Sequence, residues 1–223
     1  MVSRRQKIRQ VTGNLTGERA LPESVAIRIV GSEFAVAAVG ILREASQWLD
    51  QRNLRGWAPS ELQDAVFAVR ADAGELVLGF VAGQPVACML LQCTDELYWP
   101  EAARGTALYV HKLAVKRSSA GNHWSARLIR WAEDHARRRG ISHLRLDTWA
   151  DSPLRALYGS YGFRAVDRVP ILVQGRAMTR MQCTVVGRSC DEVSKSPHRL
   201  ESLRSLQLRR AEGVGGEGFQ PAR

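Results

Sequence analysis

The stretch from Leu108 to Phe163 limits most what this chain can fold into. It opens with the apolar run LYVHKLAV and passes through the small, polar loop KRSSAGNHWS. It then enters a long segment in which Leu128, Ile129, Trp131, Ala132 and Ala136 lie on one side of a helix. That predicts a strand over 106–115 and a helix over 119–139. Gly140 ends the helix behind Arg137, Arg138 and Arg139, cations that suit its dipole. A strand over 142–149 follows, then a short helix begun at Asp151 or Ser152 with Pro153 in its first turn, then Tyr158-Gly-Ser-Tyr-Gly162-Phe163. A loop that opens a helix meets free backbone N–H groups and the positive end of the dipole. Small residues let those groups approach an anion, so residues 120–126 can cradle a phosphate.

The flanking pattern completes one mixed α/β domain. Residues 25–30 (VAIRIV) predict a strand, residues 33–53 a helix, and residues 60–69 a short helix begun at Ser60 after the break at Gly56 and Pro59. Two apolar runs, 74–81 and 85–93, sit on either side of Ala82-Gly83-Gln84 and predict a hairpin. Residues 162–168 and 177–185 predict late strands. The expected fold is therefore a mixed sheet of about six to seven strands flanked by helices. Residues 1–22 predict a flexible basic arm and residues 188–223 a disordered tail with a helical piece at 200–208. The folded domain falls on residues 23–187.

Composition excludes several functions. The net charge of +10 invites a nucleic-acid reading, but much of it lies in the two terminal segments, and 28 of the 32 basic residues are arginine, spread along the chain. Nucleic acid is not the expected partner. No apolar run reaches the roughly 18 residues a membrane span needs, and residues 1–10 lack the apolar stretch of a secretory signal. Cys88, Cys93, Cys183 and Cys190 form no C-x-x-C pair and have no histidine cluster beside them, so no metal site is expected. Cys88 and Cys93 read as buried thiols, and the cytoplasm is the simplest compartment.

The order of strand, loop, helix, strand and Tyr-x-x-x-Gly-Phe resembles the GNAT superfamily of N-acetyltransferases, over residues 26–185 and most densely over 108–163. The resemblance implies a single GNAT-like domain that takes acetyl-CoA as co-substrate. Leu113, Ala114 and Val115 would splay from the next strand and receive the pantetheine arm. Ala120, Gly121, Asn122, His123, Trp124, Ser125 and Ala126 would wrap the pyrophosphate. Tyr158 would protonate the leaving thiolate. The family's glycine-rich loop is altered here: only Gly121 is retained, and His123 and Trp124 are bulky. Asn122 tolerates left-handed conformations, which partly compensates for the lost glycines.

The implied activity is acetyl transfer to a primary amine by direct attack in a ternary complex. The alternative is a non-catalytic coenzyme A-binding or regulatory module. His111 is a candidate base, on the same strand parity as Leu113 and Val115, and Asp147 could orient it. Arg127 or Arg130 could reach the 3′-phosphate of the cofactor. The loops around Trp57 and residues 95–101, with their acidic and aromatic residues, could wall a small-molecule or peptide amine. A monomer or homodimer is expected.

Overall fold

The computed structural model describes residues 24–185. The expected arm (1–22) and tail (188–223), and Cys190, lie outside the described residues. The elements are β1 (Val25–Ile29), α1 (Ala35–Asp50), α2 (Asp64–Asp72), β2 (Leu76–Val81), β3 (Gln84–Gln92), β4 (Ala107–Val115), α3 (Trp124–Arg138), β5 (His143–Trp149), α4 (Leu154–Ser160), β6 (Arg164–Ala165), β7 (Ile171–Val173) and β8 (Arg176–Thr184). One mixed sheet has the order β1-β2-β3-β4-β5-β8-β6, with β7 also on β8. No helix among the described residues is long and apolar enough to cross a membrane.

The sheet buries both faces, which is why its central strands read as apolar runs rather than alternating ones. One face packs Leu108, Val110, Leu144 and Leu146 against Leu128, Ile129, Ala132 and Ala136 of α3. The other packs Leu76, Leu78, Cys88 and Leu90 against Ala38, Val39 and Leu42 of α1 and Phe67 of α2. Each fully buried Leu or Phe contributes roughly 1.5–3 kcal/mol relative to exposure. Gly140 (φ +68°) closes α3 as expected.

Several elements differ from the sequence reading. The strand expected at 162–168 is only β6, and the chain turns at Gln174 (φ +49°) and Gly175 (φ +73°) into a hairpin of β7 and β8, giving eight strands. The second helix starts at Asp64, after a 3-10 turn at Pro59–Glu61, and no side chain caps it. Ser152, not Asp151, holds the start of α4, its Oγ accepting the Leu154 N–H at 3.2 Å. Cys93 is exposed, while Cys88 and Cys183 are buried. Cys93 directly follows β3, beyond the cover of α1 and α2.

Candidate active site

Strands β4 and β5 run parallel and pair only at Ala107↔His143, Leu108↔Leu144 and Tyr109↔Arg145. Beyond Tyr109, β4 stays on β3, with Ala114 opposite Cys88 and Val115 opposite Ala87, while β5 follows β8 to Trp149. The sheet therefore opens between its two central strands. The Lys116 N–H bonds Val86 O on the β3 side at 2.8 Å. Alternation along a strand then turns the N–H groups of Leu113 and Val115 to the open side.

A bulge sets what each residue faces. Cys88 and Leu90 of β3 oppose Ala114 and His111, so β4 carries one residue more than its partner. Lys112 absorbs it in a left-handed conformation (φ +53°), costly for a residue with a Cβ. Leu113 and Val115 pack on the α3 side, Ala114 on the α1 side. The shared parity expected of His111, Leu113 and Val115 is thereby broken: His111 looks to the opposite face.

On the α3 side the loop after β4 is anchored to α1. The Arg117 N–H donates to Glu44 Oε1 at 2.8 Å, and the Arg117 guanidinium lies over the Trp48 ring, 4.0 Å from its centroid. Helix α3 begins at Trp124 rather than at residue 119, because Gly121 (φ +86°) and His123 (φ +57°) leave the helical region. His123, not Asn122, is the left-handed residue without glycine's freedom. The first helical bond runs from the Arg127 N–H to His123 O, so the N–H groups of Trp124, Ser125 and Ala126 have no carbonyl one turn back. Around Gly121 a Cβ would meet no protein atom within 4 Å. The bulk of Trp124 does not enter the loop. Its side chain is 3% exposed and packs into the core over Gly79, where a Cβ would stand 2.5 Å from the indole. Ser125 Oγ and Tyr161 Oη share a hydrogen bond at 2.7 Å that ties the start of α3 to the end of α4. Arg127 and Arg130 are exposed on α3.

The Tyr-x-x-x-Gly-Phe pattern has a plain structural cause. Gly162 (φ +95°) turns the chain out of α4, the Phe163 N–H returns to Tyr158 O at 3.1 Å, and Phe163 drops into the core at 2% exposure. Its ring meets the Tyr158 ring edge-on, 6.1 Å between centroids. Burial, then the charge of Asp147, push the Tyr158 phenol above its ordinary value. It is held as a protonated donor.

Across the opening, His111 lies between two carboxylates. Its Nε2 is 3.5 Å from Asp95 Oδ2 and its Nδ1 is 3.6 Å from Asp147 Oδ1. The side chains of Asp95, Asp147 and His111 are 7%, 12% and 17% exposed. Asp95 Oδ1 accepts the Tyr98 N–H at 3.1 Å, whereas Asp95 Oδ2 and His111 Nε2 have no hydrogen-bond partner. Burial pushes His111 down to about 4 and lifts Asp147, which also feels Asp95, to about 7. Asp147 therefore changes state close to neutrality, while His111 stays neutral there. The ligand atoms of Asp95, His111 and Asp147 also lie within 4.8 Å of one another, so the trio could hold a metal ion, a grouping the sequence did not point to. The two nitrogens of His111 face different carboxylates, an arrangement that suits proton transfer better than chelation through one nitrogen.

Asp95 was expected only as a loop residue walling an acceptor; its place against His111 was missed. Its Asx turn to Tyr98 is a local signal, but nothing local pairs it with a histidine 16 residues on. Trp99, from the same loop, is 4% exposed and packs against Tyr109 between the guanidiniums of Arg145 and Arg180, where it lines a cavity with Asp95, Glu96 and Tyr109. Trp57 is half-buried under the ammonium of Lys112, which pairs with Glu61.

Comparison with known proteins bears on the family and the fold. The chain is 28% identical over 141 residues (59% of this chain, 77% of the other) to the uncharacterized N-acetyltransferase YesJ of Bacillus subtilis (strain 168). Its fold is similar to a GNAT-family acetyltransferase from Listeria monocytogenes 4b F2365 (TM-score 0.60, 20% identity, 72% of this chain and 94% of that one). It is also similar to the PaiA N-acetyltransferase of Thermoplasma acidophilum, solved in complex with coenzyme A (TM-score 0.56, 13% identity, 72% and 99%). Residues 42–163, more than half of the chain, match the acetyltransferase (GNAT) family model, and the chain belongs to that family.

Proposed function

We propose that this GNAT acetyltransferase moves an acetyl group from acetyl-CoA to a primary amine by direct attack in a ternary complex. The observation that carries the reading is the opening between β4 and β5, with Tyr158 on one side and the His111–Asp147 pair on the other. Gly121 and the N–H groups of Trp124, Ser125 and Ala126 would hold the pyrophosphate at the start of α3. Arg127 or Arg130 would meet the 3′-phosphate. The backbone of Leu113, Ala114 and Val115 would align the pantetheine arm, and an N–H facing the opening would polarise the thioester carbonyl.

The proton steps follow from the side chains. An acceptor arrives as an ammonium, and the His111–Asp147 pair takes one proton from it. The amine nitrogen then attacks the thioester carbon, and N–C bond formation precedes C–S cleavage. Tyr158 gives its proton to the departing thiolate, and the second proton of the attacking nitrogen restores the phenol. The products are an amide and coenzyme A. The second reading, a module that binds coenzyme A without catalysis, is prompted by His123 and Ser125 in the loop, with His123 exposed and left-handed (φ +57°) at the start of α3.

Thiol release from acetyl-CoA with a panel of primary amines is the test. Turnover should fall at acidic pH with a limb near 7, where Asp147 gains its proton. Loss of roughly 10²–10⁴-fold in kcat/KM in His111→Gln is the size expected of a lost general base. Acetyl-CoA binding without turnover on any amine would turn the assignment to the binding module.

A further inference from the structure

We propose that the acceptor amine carries an anionic group at its far end, received by Arg55 and Arg176 at the mouth of the cleft; this rests on the acetyltransferase reading above. The side chains on this face divide by charge. At the floor, Asp95 and Asp147 flank His111, and their only ion-pair partner within 4.0 Å among the described residues is that histidine. Two polar atoms there, Asp95 Oδ2 and His111 Nε2, are buried without a hydrogen bond. A buried acceptor oxygen left unpaired costs free energy until a donor arrives, and an ammonium supplies one.

The mouth has the opposite sign. Trp149 lies two residues beyond Asp147 on β5, hence on the same face. The guanidinium of Arg55 is 4.7 Å from its ring centroid and that of Arg176 is 5.6 Å away. Both keep only long ion pairs, Arg55 with Asp151 and Arg176 with Glu61, each at 3.7 Å. Their side chains are 61% and 45% exposed. Lys112 already neutralises Glu61, so the charge of Arg176 is largely unspent. Tyr98 joins floor to mouth: its phenol, pushed up to about 12 mainly by burial, feels Asp147, Asp95 and Glu61 on one hand and Arg176 on the other.

A cation-seeking floor under an anion-seeking mouth fits a molecule with both charges. A second ammonium, as in a diamine, would meet two guanidiniums. Two residues of strand separate Asp147 from Trp149, about 7 Å. An α-amino acid, whose nitrogen and carboxylate are only about 3 Å apart, cannot serve both ends. The fit is an ω-amino carboxylate or aminoalkyl phosphate with roughly six bonds between amine and anion.

Calorimetric titration of the coenzyme A-loaded protein tests this without turnover, with 6-aminohexanoate, 5-aminopentyl phosphate, hexylamine and glycine as probes. The expected result is at least tenfold tighter binding of 6-aminohexanoate or the phosphate than of hexylamine or glycine, the better of the two naming the anion. Arg176→Gln and Arg55→Gln, both on the surface, should each reduce that preference several-fold, and added salt should reduce it further. Equal binding of hexylamine, tighter binding of glycine, no binding of any probe, or an undiminished preference in both variants would overturn the inference. Acetyl transfer to hexylamine alone would leave the acetyltransferase reading standing while this one fell. Binding of the zwitterions with no transfer to any of them would overturn the acetyltransferase reading, and with it their role as acceptors, leaving only the charge recognition on this face.

Discussion

The two faces of the opening are built differently. On the α3 side, the proposed cradle for a pyrophosphate is made of backbone: the N–H groups of residues 124–126, the left-handed turns at Gly121 and His123, and the β4 edge from Leu113 to Val115. On the α1 side, the candidate acceptor site is made of side chains from five separate places: Arg55, Asp95, His111, Asp147 and Arg176. Backbone sites tolerate changes of side chain as long as the chain keeps its path. Here bulky residues replace the family's glycines, yet His123 still takes the left-handed turn and Trp124 turns away into the core. The side-chain face has no such tolerance. Moving one carboxylate there changes what the site can hold.

The largest effect expected from breaking this comparison is at Tyr158, which stands between the faces. Tyr158→Phe removes one hydroxyl and little volume. It should lower kcat by roughly 10- to 1000-fold and leave acetyl-CoA affinity nearly unchanged, because the hydroxyl acts on charge that develops in the transition state. The deficit should shrink with an acyl donor whose thiol has a lower pKa. Loss of affinity at constant kcat would make Tyr158 a binding contact of the cradle instead.

The same division explains what could be read from sequence. Strand, loop, helix and the Tyr158–Phe163 turn are local patterns, fixed by apolar period and by glycines that must adopt positive φ, as Gly140 and Gly162 do. The bulge at Lys112 was not legible, because a lysine with positive φ is imposed by the pairing of β3 and β4 and leaves no local mark. It reversed the face of His111. Of the β7–β8 hairpin only β8 is legible, as the strand expected over 177–185; β7 is three residues long and Gln174-Gly175 is a weak turn signal. The contact of Asp95 with His111 depends on how a loop of irregular backbone folds back over β4, which no periodicity encodes.

Two glycines sharpen the backbone half at an intermediate scale. Gly121→Val forces a β-branched residue to a φ of +86° in open space, so its cost falls on loop geometry. It should weaken acetyl-CoA binding by about 1–3 kcal/mol, the worth of a lost charge-assisted hydrogen bond with strain, and spare the melting temperature of the core. Gly79→Ala places a methyl against Trp124 and should do the opposite first. Overpacking of this kind costs about 1–3 kcal/mol of stability. Because Trp124 begins α3, some loss of acetyl-CoA affinity should follow. Trp124→Leu in the Gly79→Ala background should restore both. If the methyl weakens binding but not stability, Trp124 is part of the cradle after all.

The smallest expected effect separates the charges of the other half. Burial lifts Asp147 to about 7 in the fold, against about 3.9 in an unfolded chain. A raised carboxyl favours the folded state while it is protonated. That contribution is complete below about pH 4 and is lost as the pH rises through 7. Asp147→Asn keeps the shape and removes the ionisation, so the variant should gain stability relative to the parent at pH 8 and little at pH 4. His111 has the opposite sign, since a lowered imidazole costs stability as the pH falls toward 4, but it is present in both proteins and largely cancels in their difference. Each kcal/mol recovered should raise the melting temperature by roughly 2–4 °C in a chain of this size. The same variant should lose turnover at pH 8, the pH at which it gains stability, because the proton acceptor beside His111 is gone. A variant equally stable at both pH values would place the pKa of Asp147 below the neutral range. The limb near pH 7 would then belong to another group.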